Sequence, residues 1–209
     1  VDAARAVEAL EGILRTSDDA GLQEKAIFAL SQHQSPRAGE LLRTYALRDD
    51  VSEELRGQAI FWLGQNHANN NAQFLRELYT RIRGDELKEK VIFSLSQHRD
   101  PQNAEFLMDI AMNQNESLEM RKQALFWAGQ SGNVPVDRLA QLYDRVSDRE
   151  VKDQLIFVFS QSRNEAAVNK LMDIARNERD VELRKQAIFW LGQSEDPRVQ
   201  RFLLELING

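Results

Sequence analysis

The chain contains no cysteine, and its 209 residues include only four prolines and ten glycines. Without thiols there is no disulfide framework, no thiolate nucleophile and no Cys-ligated zinc. No apolar run approaches the ~18 residues of a membrane span. Basic residues are outnumbered, 27 Lys and Arg against 33 Asp and Glu, which leaves a formal charge of −6. That sign argues against a nucleic-acid partner, whose backbone calls for clustered Lys and Arg. Glycine-rich phosphate loops and a G-x-S-x-G nucleophile elbow are missing as well. What is present is 42% apolar and 29% charged sequence, the composition of a helical chain with a real core. Absence of Cys is compatible with both cytoplasm and periplasm, and the chain opens on Val1, as a processed or excised piece does.

One apolar phrase recurs through the whole length. Aligned on a Gln at 32, 65, 97, 130, 161 and 193, it reads KAIFALSQ, QAIFWLGQ, KVIFSLSQ, QALFWAGQ, QLIFVFSQ and QAIFWLGQ. Successive Gln residues lie 33, 32, 33, 31 and 32 positions apart. Two versions alternate, one ending Ser-Gln and the other carrying Trp and Gly-Gln. A period of this size indicates stacked supersecondary units, each completing its core against its neighbours.

Each unit reads as two helices. The helix bearing the phrase begins after Asp19, Ser52, Asp85, Ser117, Asp148 or Asp180, whose side-chain oxygens are expected to cap its first turn. The other helix follows the Gln. Pro36, Pro101, Pro135 and Pro197 fall at four of its starts, where a fixed φ and a missing N–H cost nothing. No strand signal is found. The expected fold is all-α: an α-solenoid of about six and a half helix pairs forming a right-handed superhelix, as a single domain over 1–209. A first helix over 3–15 and a final helix over 197–207 would cap its ends.

The stretch from Leu55-Arg56 through Ala59 to Trp62-Leu63-Gly64, repeated at Met120-Arg121 to Gly129 and Leu183-Arg184 to Gly192, resembles the V-R-x-x-A-x-x-A-L-G signature of HEAT repeats. The ~32-residue period is similar to the short HEAT-like repeats of the phycobilisome-lyase type, found in bacterial, exported HEAT-repeat proteins of unknown activity. The resemblance runs from about Ala3 to Ile207. Gln23, Lys88 and Lys152 depart from it, standing where the signature has Arg. The family implies an exported, periplasmic setting over a cytoplasmic one. It also implies that the second helix of each pair lines a concave groove.

At 100° per residue, Leu55, Ala59, Trp62 and Leu63 share one side, expected to face the first-helix layer. Ile27, Ile60, Ile92, Leu125, Ile156 and Ile188 lie on a flank toward a neighbouring repeat. Phe61 and its equivalents come out roughly 140° from the core centre. The candidate partner-binding groove is therefore Phe28, Phe61, Phe93, Phe126, Phe157 and Phe189 with Gln58, Gln65, Gln97, Gln123, Gln130, Gln154 and Gln161. Two readings stay open. Each Phe folds onto the next repeat's Ile as a packing ladder, or the rings and amides stand open to an extended peptide, for which Gln supplies both donors and an acceptor.

Charges one position before Gln58 and its equivalents alternate in sign from Glu89 through Lys122 and Asp153 to Lys185, which places Lys122 near Glu89 or Asp153. His33, His67 and His98 end three second helices and read as solvated loop-end residues, since equivalent positions lie roughly 8–10 Å apart. HEAT-repeat di-iron hydroxylases resemble this fold but use His-Glu pairs, and no His here precedes Glu. No catalytic residue, metal ligand or cofactor is assigned. The expected function is a non-enzymatic protein- or peptide-binding scaffold, monomeric and with no membrane span. The alternatives are a bilin-lyase-like or DNA-glycosylase-like HEAT enzyme and a passive spacer in a longer exported protein.

Overall fold

The computed structural model describes residues 2–67 and 70–208. Among these residues it contains thirteen α-helices and no strand. They are α1 (Asp2–Thr16), α2 (Ala20–Gln32), α3 (Pro36–Ala46), α4 (Glu53–Gln65), α5 (Asn71–Arg81), α6 (Asp85–Ser96), α7 (Pro101–Met112), α8 (Leu118–Gln130), α9 (Val136–Arg145), α10 (Arg149–Gln161), α11 (Glu165–Asn177), α12 (Val181–Gly192) and α13 (Pro197–Asn208). Six helix pairs and one extra helix match the expected count. The chain forms two compact units, 1–106 and 107–209, and the division falls inside α7.

Local chemistry starts most of these helices as the sequence predicts. Asp19 accepts from the Leu22 amide at 3.0 Å, Ser52 from Leu55 at 3.3 Å, Ser117 from Met120 at 3.3 Å, and Asp180 from Glu182 at 2.9 Å. Two expected caps differ. Asp85 is the first residue of α6 and Gly84 holds the cap position, so the carboxylate serves the helix dipole from the first turn. Asp148 stands at the cap of α10 without bonding its amides, because its carboxylate accepts instead from the Arg121 guanidinium at 2.8 Å. Pro36, Pro101 and Pro197 open α3, α7 and α13, whereas Pro135 sits one residue before α9.

In each unit the even-numbered helices pack side by side, and the two versions of the repeated phrase interlock. A Cβ built on Gly64 of α4 would lie 2.7 Å from the Cβ of Ser94 on α6, and one on Gly129 of α8 would lie 2.5 Å from Cγ1 of Val158 on α10. The Ser94 hydroxyl, buried by this approach, donates to the Ile60 carbonyl at 2.9 Å. Gly57 likewise accommodates the stem of Lys90. Alternation thus has a steric cause: the glycine of the Trp-bearing helix receives a compact side chain from the Ser-Gln helix that follows it. The flank residues Ile27, Ile60, Ile92, Leu125 and Ile156 are fully buried, while Ile188 is 40% exposed.

The departures from the HEAT signature have partners too. Lys88 lies 5.2 Å from the Tyr79 ring centre and Lys152 lies 4.9 Å from that of Tyr143. Gln23 accepts from the Tyr45 hydroxyl at 3.1 Å. Where Arg is kept, Arg56 and Arg121 donate to the carbonyls of Ala46 and Ala111, the last turns of the preceding helices.

Close approach at one glycine and open space at another make a paired prediction. Gly64→Ala forces a methyl against Ser94 and is expected to cost about 1–3 kcal/mol by overpacking. Gly192→Ala, whose Cβ would meet nothing within 4 Å, is expected to gain up to about 1 kcal/mol from helix propensity. Chemical denaturation of the two variants beside the parent chain measures both.

Candidate functional site

On each second helix the phrase leaves one line of side chains toward solvent. Residues i, i+7 and i+11 fall within about 40° of one another around a helix, so Glu54, Phe61 and Gln65 share a line on α4, as do Glu86, Phe93 and Gln97 at α6. Packing consumes the remaining faces. Leu55, Ala59 and Leu63 are buried toward the first helices, and Ile60 and Gly64 are buried toward the next repeat.

The predicted phenylalanines all sit on this line. Phe28, Phe61 and Phe189 are 50%, 38% and 55% exposed, and Phe93, Phe126 and Phe157 are half-buried. Their rings contact aromatic neighbours, forming one stripe per unit. In unit 1–106, Phe28 meets Trp62 edge-on at 5.3 Å, Trp62 meets Phe61 at 5.0 Å, and Phe61 lies parallel to Phe93 at 6.4 Å and 4°. In unit 107–209, Phe126 meets Trp127 at 4.9 Å and lies nearly parallel to Phe157 at 6.2 Å. Phe157 and Phe189 both meet Trp190, at 5.5 and 5.1 Å.

Trp62 was expected on the core side. It is half-buried and belongs to the stripe, because the flank of α4 that it occupies looks onto Phe28 rather than onto the first helices. Its equivalents Trp127 and Trp190 are also half-buried. The signal was present in the alternation: Trp occurs where the phrase ends Gly-Gln, and the matching position holds Ala29, Ser94 or Val158 in the Ser-Gln helices.

Of the predicted glutamines, Gln65, Gln130 and Gln161 are exposed, while Gln58, Gln97, Gln123 and Gln154 are half-buried. Gln97 donates to the Ser96 hydroxyl at 3.0 Å and Gln161 to that of Ser160 at 3.2 Å, which orients both amides along their helix ends. Gln123 donates to Glu119 at 3.2 Å. Glu119, Lys122, Gln123, Phe126 and Gln154 line an open hollow of about 330 Å³ between α8 and α10.

Lys122 forms its ion pair with Glu150, at 3.8 Å, one turn before Asp153 on α10. Asp153 still feels it. Burial pushes the Asp153 carboxyl above its ordinary range, Lys122 opposes that rise, and Glu150 adds to it.

The expectation of solvated loop ends holds for His67 and not for His98. His67 is exposed, but His98 is half-buried, and its Nε2 lies 3.0 Å from the Leu63 carbonyl, which it reaches as a donor. The two rings meet edge-on at 5.1 Å beside a polar hollow of about 610 Å³ that Asn71, Gln97 and Asp100 help to line. Burial lowers the His98 pKa from the usual 6.5, and His67 and Arg76 lower it further against the opposing Leu63 carbonyl and Asp100. Asn71 and Asn103 carry no phrase-like signal in the sequence. They are buried and tie their helices to the preceding ones, donating to the carbonyls of Asn66 and Leu95 at 2.9 Å.

No protein-family model matches the sequence, and no curated protein matches it. Human deoxyhypusine hydroxylase superposes with a TM-score of 0.53 at 17% identity, over 97% of this chain and 90% of the other. A chain of the AP-3 complex in an intermediate open conformation superposes with a TM-score of 0.54 at 12% identity, over 96% of this chain and 44% of the other. The fold is that of HEAT-like helical repeats. The complex of CpcE and CpcF of phycocyanin lyase from Nostoc sp. PCC7120 gives 0.48 at 18% identity, over 89% of this chain and 76% of that one. Among the described residues of this HEAT-like chain, no helix is long and apolar enough to cross a membrane.

Two measurements test these environments. Phe93→Ala is expected to cost about 1.5–2.5 kcal/mol, half the ~3–5 of a fully buried ring, and Phe28→Ala less than about 1. Thermal unfolding reads both. A His98 pKa that is lower in the folded chain gives stability that is complete above pH 6.5 and declines as pH falls from there toward the folded pKa. Unfolding followed from pH 7.5 to 5 is expected to show that decline, and His98→Gln to reduce it.

Proposed function

We propose that this HEAT-like chain is a non-enzymatic scaffold that binds an extended segment of a protein partner along the outer line of its second helices. One observation carries the reading. Phe28 and Phe61 keep 50% and 38% of their surface in water while the adjacent Ile27 and Ile60 are fully buried. The core therefore takes its apolar area from the isoleucine flank and leaves the rings as contiguous apolar stripes. Stripes of that kind on a surface are favourable contact area for a partner. Aromatic side chains supply much of the energy in such contacts, because they present a large area at little entropic cost. Exposed amides such as Gln65 and Gln130 add donors and acceptors that can pair with an extended backbone.

Trp62 touches two phenylalanines of its stripe, and Trp190 touches two of the other. A ligand seated on either stripe is thus expected to change tryptophan emission. Titration with an arrayed set of extended apolar peptides should give saturable changes that Phe61→Ser abolishes for unit 1–106 and Phe189→Ser abolishes for unit 107–209, with helical circular dichroism retained. Absence of binding by the whole set, or binding indifferent to both substitutions, overturns the proposal.

A further inference from the structure

The end of unit 107–209 presents open a face that the same chain covers wherever a further second helix follows. Gly64 and Gly129 each receive a side chain from the next second helix, Ser94 or Val158, whereas the Cβ position of the equivalent Gly192 on α12 meets nothing within 4 Å. Ile188 is exposed on the flank that is fully buried at Ile60 and Leu125. Phe61 and Phe126 stack on Phe93 and Phe157 of the helix that follows each. Among the described residues, no such ring stacks on Phe189, which meets only Trp190 of its own helix. The neighbouring α13 shows the same opening. Leu203, Leu206 and Ile207 stand 10, 13 and 14 residues after Gln193, as Leu75, Leu78 and Tyr79 stand after Gln65. The three residues of α5 are buried, with α6 packed on that helix, whereas Leu203 and Leu206 are half-buried and Ile207 is 81% exposed. Between α12 and α13 runs an apolar groove matching the place that α6 takes beside α4 and α5, and α10 beside α8 and α9.

Charge at this end points the same way. Arg121 on α8 reaches forward to Asp148, the cap residue of α10, at 2.8 Å. The equivalent Arg184 on α12 makes no side-chain hydrogen bond or ion pair among the described residues, nor do Arg179 before α12 and Arg201 on α13. The other charges of the two helices are engaged: Glu182 with Lys185, Glu205 with Arg176, and Arg198 with Asp196 and Glu165. Glu195 lies in the turn after α12, at the opposite end from Arg184. The start of α12 thus offers a guanidinium where a following helix brings its capping carboxylate.

A second copy does not supply that helix. The sector of α2 that would meet α13 carries Ala26 and Leu30, which are buried with α1 packed on α2, and α5 and α9 hold α6 and α10 in the same way. Because α13 already fills the first-helix layer, the groove takes a helix that brings no first helix of its own. We infer that the groove between α12 and α13 binds a single amphipathic α-helix of a partner protein, parallel to α12 and patterned like α10. Apolar residues at every fourth position, as at Val151, Leu155 and Phe159, lie on Leu203, Leu206 and Ile207. A Ser or Val enters beside Gly192, the Phe before it stacks on Phe189, and an Asp or Glu at the helix cap pairs with Arg184. Apolar burial supplies the affinity, and the exposed ion pair sets register more than strength. This face meets the outer stripes only at Phe189, and its occupancy does not depend on the peptide-binding reading.

The test uses the 209-residue chain and a fluorescein-labelled peptide with the sequence of residues 147–163, which spans α10 and its cap. A helix this short is marginal alone in water, so docking is read as anisotropy and as a gain in helical circular dichroism. Binding is expected to be saturable and to weaken at least about tenfold in Gly192→Leu and in Ile207→Asp. Both positions are open in the free chain, so thermal unfolding should show the fold of each variant intact. A peptide carrying Val158→Arg should bind no better than a scrambled one. Arg184→Gln should weaken the unmodified peptide a few-fold and leave a peptide carrying Asp148→Asn unaffected; equal effects on the two overturn the ion pair. No binding, binding indifferent to Gly192→Leu and Ile207→Asp, or equal binding of the scrambled peptide overturns the inference. Self-association of the chain in sedimentation, abolished by Gly192→Leu, assigns the groove to a second copy and overturns it too.

Discussion

α4 approaches α6 closely, and α8 approaches α10, because a glycine on one accepts a small or branched side chain from the next. At Gly64 the room for even a methyl group is missing, and the Ser94 hydroxyl placed there finds its acceptor in the Ile60 carbonyl. That contact has consequences in both directions. It brings the isoleucine flank of α4 fully out of water, which is where much of the apolar stabilisation of the pair resides. It also turns the helix so that the Glu-Phe-Gln line faces solvent.

The aromatic stripes follow from this arrangement. A helix has a limited circumference, and here three sectors are taken: one by the first helices, one by the preceding repeat and one by the following repeat. Phenylalanine seven residues after the glutamate falls in the fourth. Trp62 reaches the stripe from the flank, and its edge-on contacts with Phe28 and Phe61 are each worth about 0.5–1.5 kcal/mol beyond area burial. The rings are therefore organised by one another as well as by the core. Phe93, Phe126 and Phe157 are half-buried because these rings pack laterally against aromatic neighbours.

Much of the fold was legible before any coordinates. Six copies of one phrase, the placement of the prolines and the capping Ser and Asp residues marked thirteen helices. Failures came where two chemistries competed for one residue. Asp148 could cap α10 or answer Arg121, and the charged guanidinium provides the stronger partner. His98 looked like a loop-end histidine, yet the turn folds back far enough to set its ring on the Leu63 carbonyl.

By itself the sequence determined the period, the helix pairs, the alternation of Trp-Gly with Ser-Gln repeats and the phenylalanine in every second helix. These are local or periodic properties, and a repeat states them six times over. Tertiary structure decided which sectors of each second helix were covered, and therefore that isoleucine is buried while phenylalanine and glutamate remain in water. A helical wheel orders side chains by angle, but only the neighbouring helices and the distance of their approach say which angles water can still reach.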